Sequence, residues 1–263
     1  MLLWLKIILK EFSLFFRDSN YRVFAILATR YGGKKRNMPG YMKIAGKKIH
    51  TPDNLSVIWQ YYEIFFKKYY RFTPTKNHPP RIIDIGSNVG LSLLFFSQEY
   101  PNAKITAYEA DPTIFTYLKE NSSYFPTAEL INKAVWIHGN GIELHSNGAD
   151  SASILVGTGD TIYVPSISFK EILEAETEID MLKMDIEGAE NNVFVEAKSQ
   201  LHKIKNIFLE YHSYKGEEQH LHEILTCLAE NNFRYYFMDG ISKLTADKGA
   251  LDLQCNIIAT RNT

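Results

Sequence analysis

One short segment carries the densest group of side chains that are able to do chemistry. Residues 180–190 read DMLKMDIEGAE and span the end of a predicted strand and the start of a helix. The two-residue period of a strand places Lys183 and Asp185 on the same side of it. A lysine inside a buried strand is costly unless a carboxylate pairs with it, so both side chains are predicted to converge at the edge of a pocket. Glu187 and Glu190 suit a helix N-terminus, whose dipole favours acids.

A second group of polar side chains ends the next predicted strand, at residues 207–212. Glu210 and His212 lie on the same face of that strand. With Asp185 nearby, a carboxylate or an imidazole here could remove or orient the proton of a reacting hydroxyl group. Oxygen and nitrogen ligands from the same residues, together with Glu187, could instead hold a divalent metal ion. The residue types permit both chemistries, and the spacing alone does not choose between them.

A glycine-containing turn, DIGSNVG, follows the first predicted strand and begins at Asp84. Gly86 and Gly90 permit a tight turn and a close approach of the backbone to a ligand. Asn88 stands where a dinucleotide-binding turn needs its middle glycine, which argues against a cofactor with a pyrophosphate. Glu109 ends the second predicted strand and can accept hydrogen bonds from ribose hydroxyls. Together, the turn and this acid predict a site for a nucleoside without a pyrophosphate.

The third predicted strand contains small and apolar residues that could contact a base. Ala134 and Val135 lie near its end, in the run NKAVW. Their backbone and short side chains could sandwich an adenine. An ordinary buried strand explains the same residues equally well.

From residue 81 onward, short apolar runs alternate with amphipathic segments. This alternation is typical of the doubly wound α/β class, a mostly parallel sheet with helices on both faces. In such sheets, ligands bind beyond the carboxyl ends of the strands, where the polar residues described above are found. Strands are predicted at residues 82–85, 105–109, 130–136, 179–184, 207–211, 235–238 and 253–259, and helices at 90–99, 113–121, 169–175 and 217–231. A hairpin insertion is predicted at residues 142–145 and 153–156.

The first 80 residues differ in charge from the rest of the chain. They carry 15 Lys/Arg against 4 Asp/Glu, whereas the remainder carries 14 against 26. The split predicts that the N-terminal part faces an anionic surface or packs against the acidic remainder. Residues 1–17 are predicted to form an amphipathic helix about 24 Å long, too short to cross a bilayer. It either lies on a membrane surface or docks on this protein or on a second subunit of a homo-oligomer.

The remaining composition bounds the class of protein. A proline-rich break at residues 74–80 predicts a basic, aromatic helical extension, 1–78, followed by a main domain, 79–263. A short hairpin is predicted within residues 41–50. Two cysteines without metal-ligand spacing indicate a reducing cytoplasm and no zinc site, and no cleavage site for a signal peptide follows the N-terminal helix. The acidic main domain argues against nucleic acid as a partner.

The chain resembles the FkbM-type methyltransferases. The resemblance covers residues 44–259 and rests on DMLKMDIEGAE as the family's hallmark, with DIGSNVG, the Glu109 position, NKAV and FLEYH in the family's order around it. It implies a seven-stranded class I methyltransferase sheet with an antiparallel last strand, and S-adenosylmethionine as cofactor. Two positions depart from the family's usual pattern: Ala110 replaces a proline, and Phe169-Lys170 replaces Leu-Asp.

The resemblance also implies a class of substrate, and the residue types described above suggest roles in the reaction. The acceptor would be a hydroxyl, often on a sugar or polyketide, and the N-terminal extension favours a surface glycan. Asp185 or His212 would act on the acceptor proton, with Glu187, Glu210 and Lys183 setting their charge state. The residues expected to hold the cofactor are Asp84, Gly86, Asn88, Gly90, Glu109, Ala134, Val135 and Asp185.

Two other functions are compatible with an α/β sheet of this kind. The first is a nucleotide-dependent oxidoreductase, which Asn88 disfavours because it replaces the middle glycine. The second is a non-catalytic, methyltransferase-like scaffold at a membrane surface, for which the basic N-terminal part argues. A scaffold has no need of Gly86, Gly90, Glu109 and Asp185, so an enzyme is the preferred interpretation.

Overall fold

The structure is a computed structural model that describes residues 12–44, 46–74, 78–146, 152–153, 160–243 and 251–261. Its helices are α1 (Leu14–Arg17), α2 (Ser19–Tyr31), α3 (Asn54–Tyr61), α4 (Leu91–Glu99), α5 (Pro112–Asn121), α6 (Phe169–Ala175), α7 (Glu190–Glu196) and α8 (Leu221–Glu230). A π-helical turn, Tyr62–Phe66, extends α3, and 3₁₀ turns span Ser122–Tyr124 and Lys198–Lys203. Of the predicted N-terminal helix, residues 1–11 lie outside the described residues.

Seven strands form the main sheet, in the order β13-β14-β12-β11-β3-β4-β5. They are β3 (Arg81–Ile85), β4 (Lys104–Tyr108), β5 (Ala128–Ile131), β11 (Ile179–Met184), β12 (Ile204–Tyr214), β13 (Phe233–Lys243) and β14 (Leu251–Arg261). β14 runs antiparallel to both of its neighbours, while β5, β4, β3, β11 and β12 are parallel. The predicted fold class, a seven-stranded and mostly parallel sheet with helices on its faces, is confirmed.

The other strands form small sheets outside the main one. β1 (Gly40–Ile44) and β2 (Lys47–Thr51) make the predicted N-terminal hairpin. β7 (Ile142–Ser146) pairs with β8 (Ala152–Ser153) and also with β9 (Asp160–Val164). The predicted insertion is therefore a three-stranded unit, and residues 154–156 of the prediction lie outside the described residues. β6 (Ala134–Trp136) pairs in parallel with β10 (Ser166–Ser168).

Several predicted elements have different bounds in the structure. The predicted strand 130–136 is wrong as a single element, because the chain leaves the sheet after β5 and continues as β6. The Asn132 side chain causes this break by donating to the backbone oxygens of Glu109 and Ala110. The predicted helix 217–231 begins only at Leu221, after the His220 amide donates to the Tyr211 hydroxyl. The last two strands are also longer than predicted.

Apolar residues cover both faces of the sheet. On one face, α6, α7 and α8 pack against β11, β12 and β14. On the other, α4 joins the aromatic residues of the N-terminal segment, as in the edge-to-face pair of Phe65 and Phe95, whose ring centroids are 5.7 Å apart. The extension and the sheet therefore share one hydrophobic core, and the boundary near residue 78 stays a prediction. Among the helices that the structure describes, none has the length and apolar character needed to cross a membrane.

Candidate active site

The carboxyl ends of four parallel strands bring the predicted polar residues together. β11 lies between β3 and β12, and its register pairs Lys183 with Asp84 on one side and with Phe208 on the other. Paired residues of neighbouring strands point to the same face, and so do residues two positions apart. Lys183, Asp185, Glu210 and His212 therefore belong to one face of the sheet, at its carboxyl edge.

Lys183 is the buried cation of this edge, with a side chain that is only 3% exposed. Its Nζ donates to the backbone oxygen of Gly86 at 2.6 Å and lies 3.5 Å from Asp185 Oδ2 and 3.7 Å from Asp84 Oδ1. Burial alone would lower the pKa of Lys183, but the fields of Asp185, Asp84 and Glu210 raise it. Lys183 is thus held as an ammonium group that joins β11 to the turn after β3.

Asp84 supports the turn from below. Its side chain is fully buried, and Oδ2 accepts a hydrogen bond from the Ser92 hydroxyl at the start of α4. Burial raises the pKa of Asp84, while Lys183 and Ser92 act in the opposite direction. Asp84 therefore contacts Ser92 and Lys183 and stabilises the glycine turn, residues 86–90, that lies between β3 and α4.

The glycine turn and Glu109 are in direct contact. The Asn88 amide donates to Glu109 Oε2 at 2.8 Å, and the Asp111 amide donates to Oε1 at 2.9 Å. Gly86, Asn88 and Gly90 all have positive φ, of +81°, +48° and +91°. A Cβ on Gly86 would lie 1.8 Å from the backbone oxygen of Asp185, so this position has no room for a side chain. Burial raises the pKa of Glu109 to about 7.

Ala134 and Val135, at the start of β6, are buried close to Glu109. Val135 packs in the apolar core that includes Ile85, and Ala134 packs against Ile142. Asn132, two residues before β6, bonds the backbone oxygen of Glu109 at 2.8 Å. The start of β6 is therefore placed next to the end of β4, where the sequence predicted contact with a base.

The loop after β11 folds around the carboxylate of Glu190. This carboxylate accepts hydrogen bonds from the amides of Ile186 and Gly188 at 3.0–3.1 Å. Glu187 adopts a left-handed conformation, with φ of +56°, and the Tyr214 hydroxyl donates to its backbone oxygen. The sequence predicted Glu190 as a helix N-terminal acid, and α7 does begin there.

Glu190 also contacts His212, a relation that the sequence did not indicate. His212 Nδ1 lies 3.1 Å from Glu190 Oε1, and both side chains are almost completely buried. His212 Nε2 lies 3.7 Å from Glu210 Oε1 and 3.8 Å from Glu187 Oε2. Burial alone would lower the pKa of His212, but Glu187, Glu190 and Glu210 raise it well above its usual range. Predicting this contact would have required knowing that the end of β12 lies beside the loop between β11 and α7.

The acids at this edge outnumber the cations. Five carboxyl groups lie within 4 Å of either Lys183 or His212, and they are Asp84, Asp185, Glu187, Glu190 and Glu210. Burial raises the pKa of Glu210 to about 7 and that of Glu187 to about 8, while the charge of His212 acts in the opposite direction on both. Buried negative charge without a partner is unfavourable, so the cluster is suited to a positively charged ligand.

The N-terminal extension contributes a residue beneath this cluster. Tyr70 is buried, and its ring lies 4.6 Å from that of Phe208, the neighbour of Lys183 in the sheet. Burial raises the pKa of the Tyr70 hydroxyl well above its usual range, and Asp185 and Glu210 add to the effect. The aromatic residues of the N-terminal extension therefore fill the core, and one of them, Tyr70, also packs under the acid cluster.

The stability of the protein without ligand is expected to fall as the pH rises from about 5 to about 9. Glu109, Glu187 and Glu210 have raised pKa values in the folded state. His212 shifts in the same direction. Each such group holds its proton more tightly when folded, so the stability it adds is lost as the pH rises through its folded-state pKa. Thermal melts at about pH 5.5, 7 and 8.5 measure this fall. Glu187→Gln should flatten it, and a melting temperature that rises over the range would contradict the assignment.

The sheet order, with its antiparallel strand inserted at one side, is that of a class I methyltransferase fold. Residues 84–235 match the profile of the methyltransferase FkbM domain, more than half of the chain. The chain belongs to the FkbM methyltransferase family. It is therefore an S-adenosylmethionine-dependent methyltransferase, as its sequence predicts.

Individual relatives share low sequence identity with the chain. The 2-O-methyltransferase NoeI of Sinorhizobium fredii is 26% identical, over 52% of this chain and 67% of that protein. The methyltransferase sdnD of Sordaria araneosa is 29% identical, over 32% of each. Among solved structures, M. jannaschii TYW2 in complex with AdoMet aligns with a TM-score of 0.44 and 14% identity, over 87% of this chain and 89% of that chain.

The residues present fit S-adenosylmethionine. Gly86 allows the turn to pass directly against the backbone of Asp185, and Glu109 lies one hydrogen bond from that turn with lone pairs left for ribose hydroxyls. The excess of carboxylates at the ends of β11 and β12 suits the positive sulfonium group. The turn, Glu109 and Asp185 would hold the cofactor between them.

Proposed function

We propose that this enzyme methylates a hydroxyl group of a sugar, in a surface glycan or in its precursor. The observation that carries the proposal is the buried pair of Glu190 and His212, 3.1 Å apart at the carboxyl edge of the sheet. An alcohol is a weak nucleophile, and a positioned base typically contributes about 10²–10⁴ to its reaction rate. The relative NoeI is a 2-O-methyltransferase, which supports an oxygen acceptor.

Glu190 fixes the orientation of the proposed base. Its carboxylate is held by two backbone amides and accepts a hydrogen bond from Nδ1–H of His212, which leaves Nε2 turned toward Glu187 and Glu210. In that tautomer, Nε2 accepts the proton of the acceptor hydroxyl as its oxygen attacks. When bound, the cofactor would supply a methyl group on a positively charged sulfur, and the residues at this edge would hold the acceptor oxygen for attack on that methyl group.

Asp185 orients the acceptor in this proposal. It is the most exposed acid of the cluster, 28% exposed, and Lys183 holds it from below at 3.5 Å. Its carboxylate can accept a hydrogen bond from the reacting hydroxyl. A cation bound beside these acids replaces His212⁺ as their partner and lowers the pKa of His212, which frees Nε2 to act as a base.

A divalent metal ion is the second candidate for activating the acceptor. Asp185, Glu190 and His212 each offer a ligand atom, and these atoms lie within 4.8 Å of one another. A metal would lower the pKa of a bound hydroxyl directly. Turnover that is insensitive to a chelator and to added Mg²⁺ or Mn²⁺ would dismiss this mechanism.

The acceptor class is tested by mass spectrometry after incubation with S-adenosylmethionine. The panel contains free sugars, nucleotide-linked sugars, lipid-linked sugars and, as non-sugar hydroxyls, polyketide alcohols. We expect methylation of at least one sugar acceptor, placed on oxygen by fragmentation. Methylation of the polyketide alcohols alone would overturn the glycan part of the proposal, and methylation at nitrogen or carbon would overturn its oxygen part.

A further inference from the structure

The N-terminal hairpin and the end of α2 carry a surface of unbalanced positive charge. Residues 30–48 contain seven Lys/Arg and no Asp/Glu. Arg36 is the member that pairs with an acid, Asp53, at 2.8 Å. The other six define what we call the basic hairpin surface: Arg30, Lys34, Lys35, Lys43, Lys47 and Lys48. Within the described part of the chain, none of these six forms an ion pair.

Several of these cations contact aromatic rings instead of carboxylates. Lys48 Nζ lies 4.2 Å from the ring centroid of Tyr41, and Lys34 Nζ lies 4.7 Å from that of Tyr31. Lys43 and Lys48 are directly paired in the hairpin and so point to the same face, which is solvent-exposed. The positive charges of Lys43 and Lys48 therefore share one exposed face of the hairpin, without an acidic partner in the described part of the chain.

Exposed apolar side chains lie among these cations. Met38 and Tyr41 are 48% and 49% exposed, and Ile26 on α2 is 52% exposed. Cations interleaved with apolar and aromatic side chains are typical of surfaces that lie in the headgroup region of an anionic membrane. Phosphate contacts dominate the affinity of proteins for nucleic acid, and they would use the cations but leave these exposed apolar side chains without a partner.

The hairpin is tied directly to the cofactor turn. The His50 amide donates to Asn121 Oδ1 at 2.8 Å, and Asn121 Nδ2 donates both to the backbone oxygen of His50 and to that of Val89, each at 2.9 Å. Asn121 is completely buried. One side chain therefore connects β2 to the turn that holds the nucleoside.

We propose that the basic hairpin surface docks the enzyme on an anionic lipid bilayer, beside the opening of the active site. The anionic headgroups pair with the six cations, which have no acidic partner in the described part of the chain. Met38 and Tyr41 enter the headgroup region. A sugar carried on a membrane lipid would then reach the site without leaving the membrane. This last consequence depends on the proposed glycan acceptor, whereas the docking itself does not.

Sedimentation with lipid vesicles tests the proposal on the full chain. Vesicles of phosphatidylcholine with and without about 30% phosphatidylglycerol are compared at about 0.05 M and 0.5 M NaCl. We expect binding to the anionic vesicles alone, weakened by salt. Lys43→Glu/Lys48→Glu should reduce the bound-to-free ratio at least about tenfold. Tyr41→Ser should reduce it less, without changing the charge.

A matched pair of substitutions removes the effect of net charge. Lys104→Glu/Arg234→Glu makes the same charge change at two exposed positions of the main sheet and should leave vesicle binding near that of the wild type. Equal loss in both double variants would overturn the proposal, as would unchanged binding of Lys43→Glu/Lys48→Glu, which would place the contact elsewhere. Displacement from the vesicles by an equal charge concentration of RNA would also overturn it.

The outcome is independent of the proposed acceptor. Calorimetric titration with S-adenosylhomocysteine shows whether each double variant is folded, and we expect wild-type affinity in both. Loss of vesicle binding with this affinity intact supports docking whatever the acceptor is. Methylation of a soluble sugar by a protein that does not bind anionic vesicles would leave the proposed function standing and overturn the docking.

Discussion

Replacing His212 by alanine is expected to slow methyl transfer by about 10²–10⁴ while leaving the affinity for S-adenosylhomocysteine nearly unchanged. The imidazole is buried at the carboxyl edge of β12, with Nδ1 on Glu190 and Nε2 facing the acid cluster. Alanine removes the proton acceptor. The glycine turn and Glu109, which would bind the cofactor, follow β3 and β4 and are unchanged. Single-turnover rates with saturating cofactor, together with calorimetric titration, measure the two quantities separately.

Two further variants assign roles within the pair. Glu190→Gln keeps the shape of the side chain but removes the carboxylate that receives the Nδ1 proton, so it should slow transfer and lower the pKa seen in the pH–rate profile. The wild-type rate should rise with pH as His212 loses its proton, and this limb should be absent from His212→Ala. His202→Ala alters an exposed histidine and serves as the control. A wild-type rate in His212→Ala would transfer the role of base to Asp185, for which Asp185→Asn is the direct test.

The parts of the site that could be predicted from the sequence are those set by local chemistry. Gly86 and Gly90 have positive φ, which marks a turn through residue type alone. Lys183 in an apolar strand requires a carboxylate partner, and two were found within 4 Å. The alternation of strands and helices gave the sheet class because each strand buries both of its faces.

The parts that could not be predicted depend on contacts between segments far apart in the chain. The strand break at Asn132 arises because its side chain reaches the end of β4, more than 20 residues earlier. Glu190 satisfies the rule for a helix N-terminus, and that local explanation concealed its bond to His212. The place of Tyr70 beneath the acid cluster follows from packing against Phe208 across the sheet, which periodicity does not report.

Gly86→Ala is expected to abolish cofactor binding and to destabilise the fold by about 2–4 kcal/mol. The new Cβ would lie 1.8 Å from the backbone oxygen of Asp185, so β3 and β11 would have to separate at the point where Lys183 joins them. The residue also has φ of +81°, a conformation that alanine rarely adopts. Urea unfolding and titration with S-adenosylhomocysteine measure the two effects.

The hairpin of the extension offers a matched control for this backbone penalty. Gly46 has nearly the same φ, +78°, but no atom lies within 4 Å of the Cβ that an alanine would add. Gly46→Ala should therefore cost only about 1 kcal/mol and leave cofactor binding intact. The difference in unfolding free energy between the two variants gives the cost of the close contact between the ends of β3 and β11, separated from the strain of a positive φ. Wild-type affinity in Gly86→Ala would show that the cofactor does not bind at this turn, because the displaced strand ends carry both the turn and Asp185.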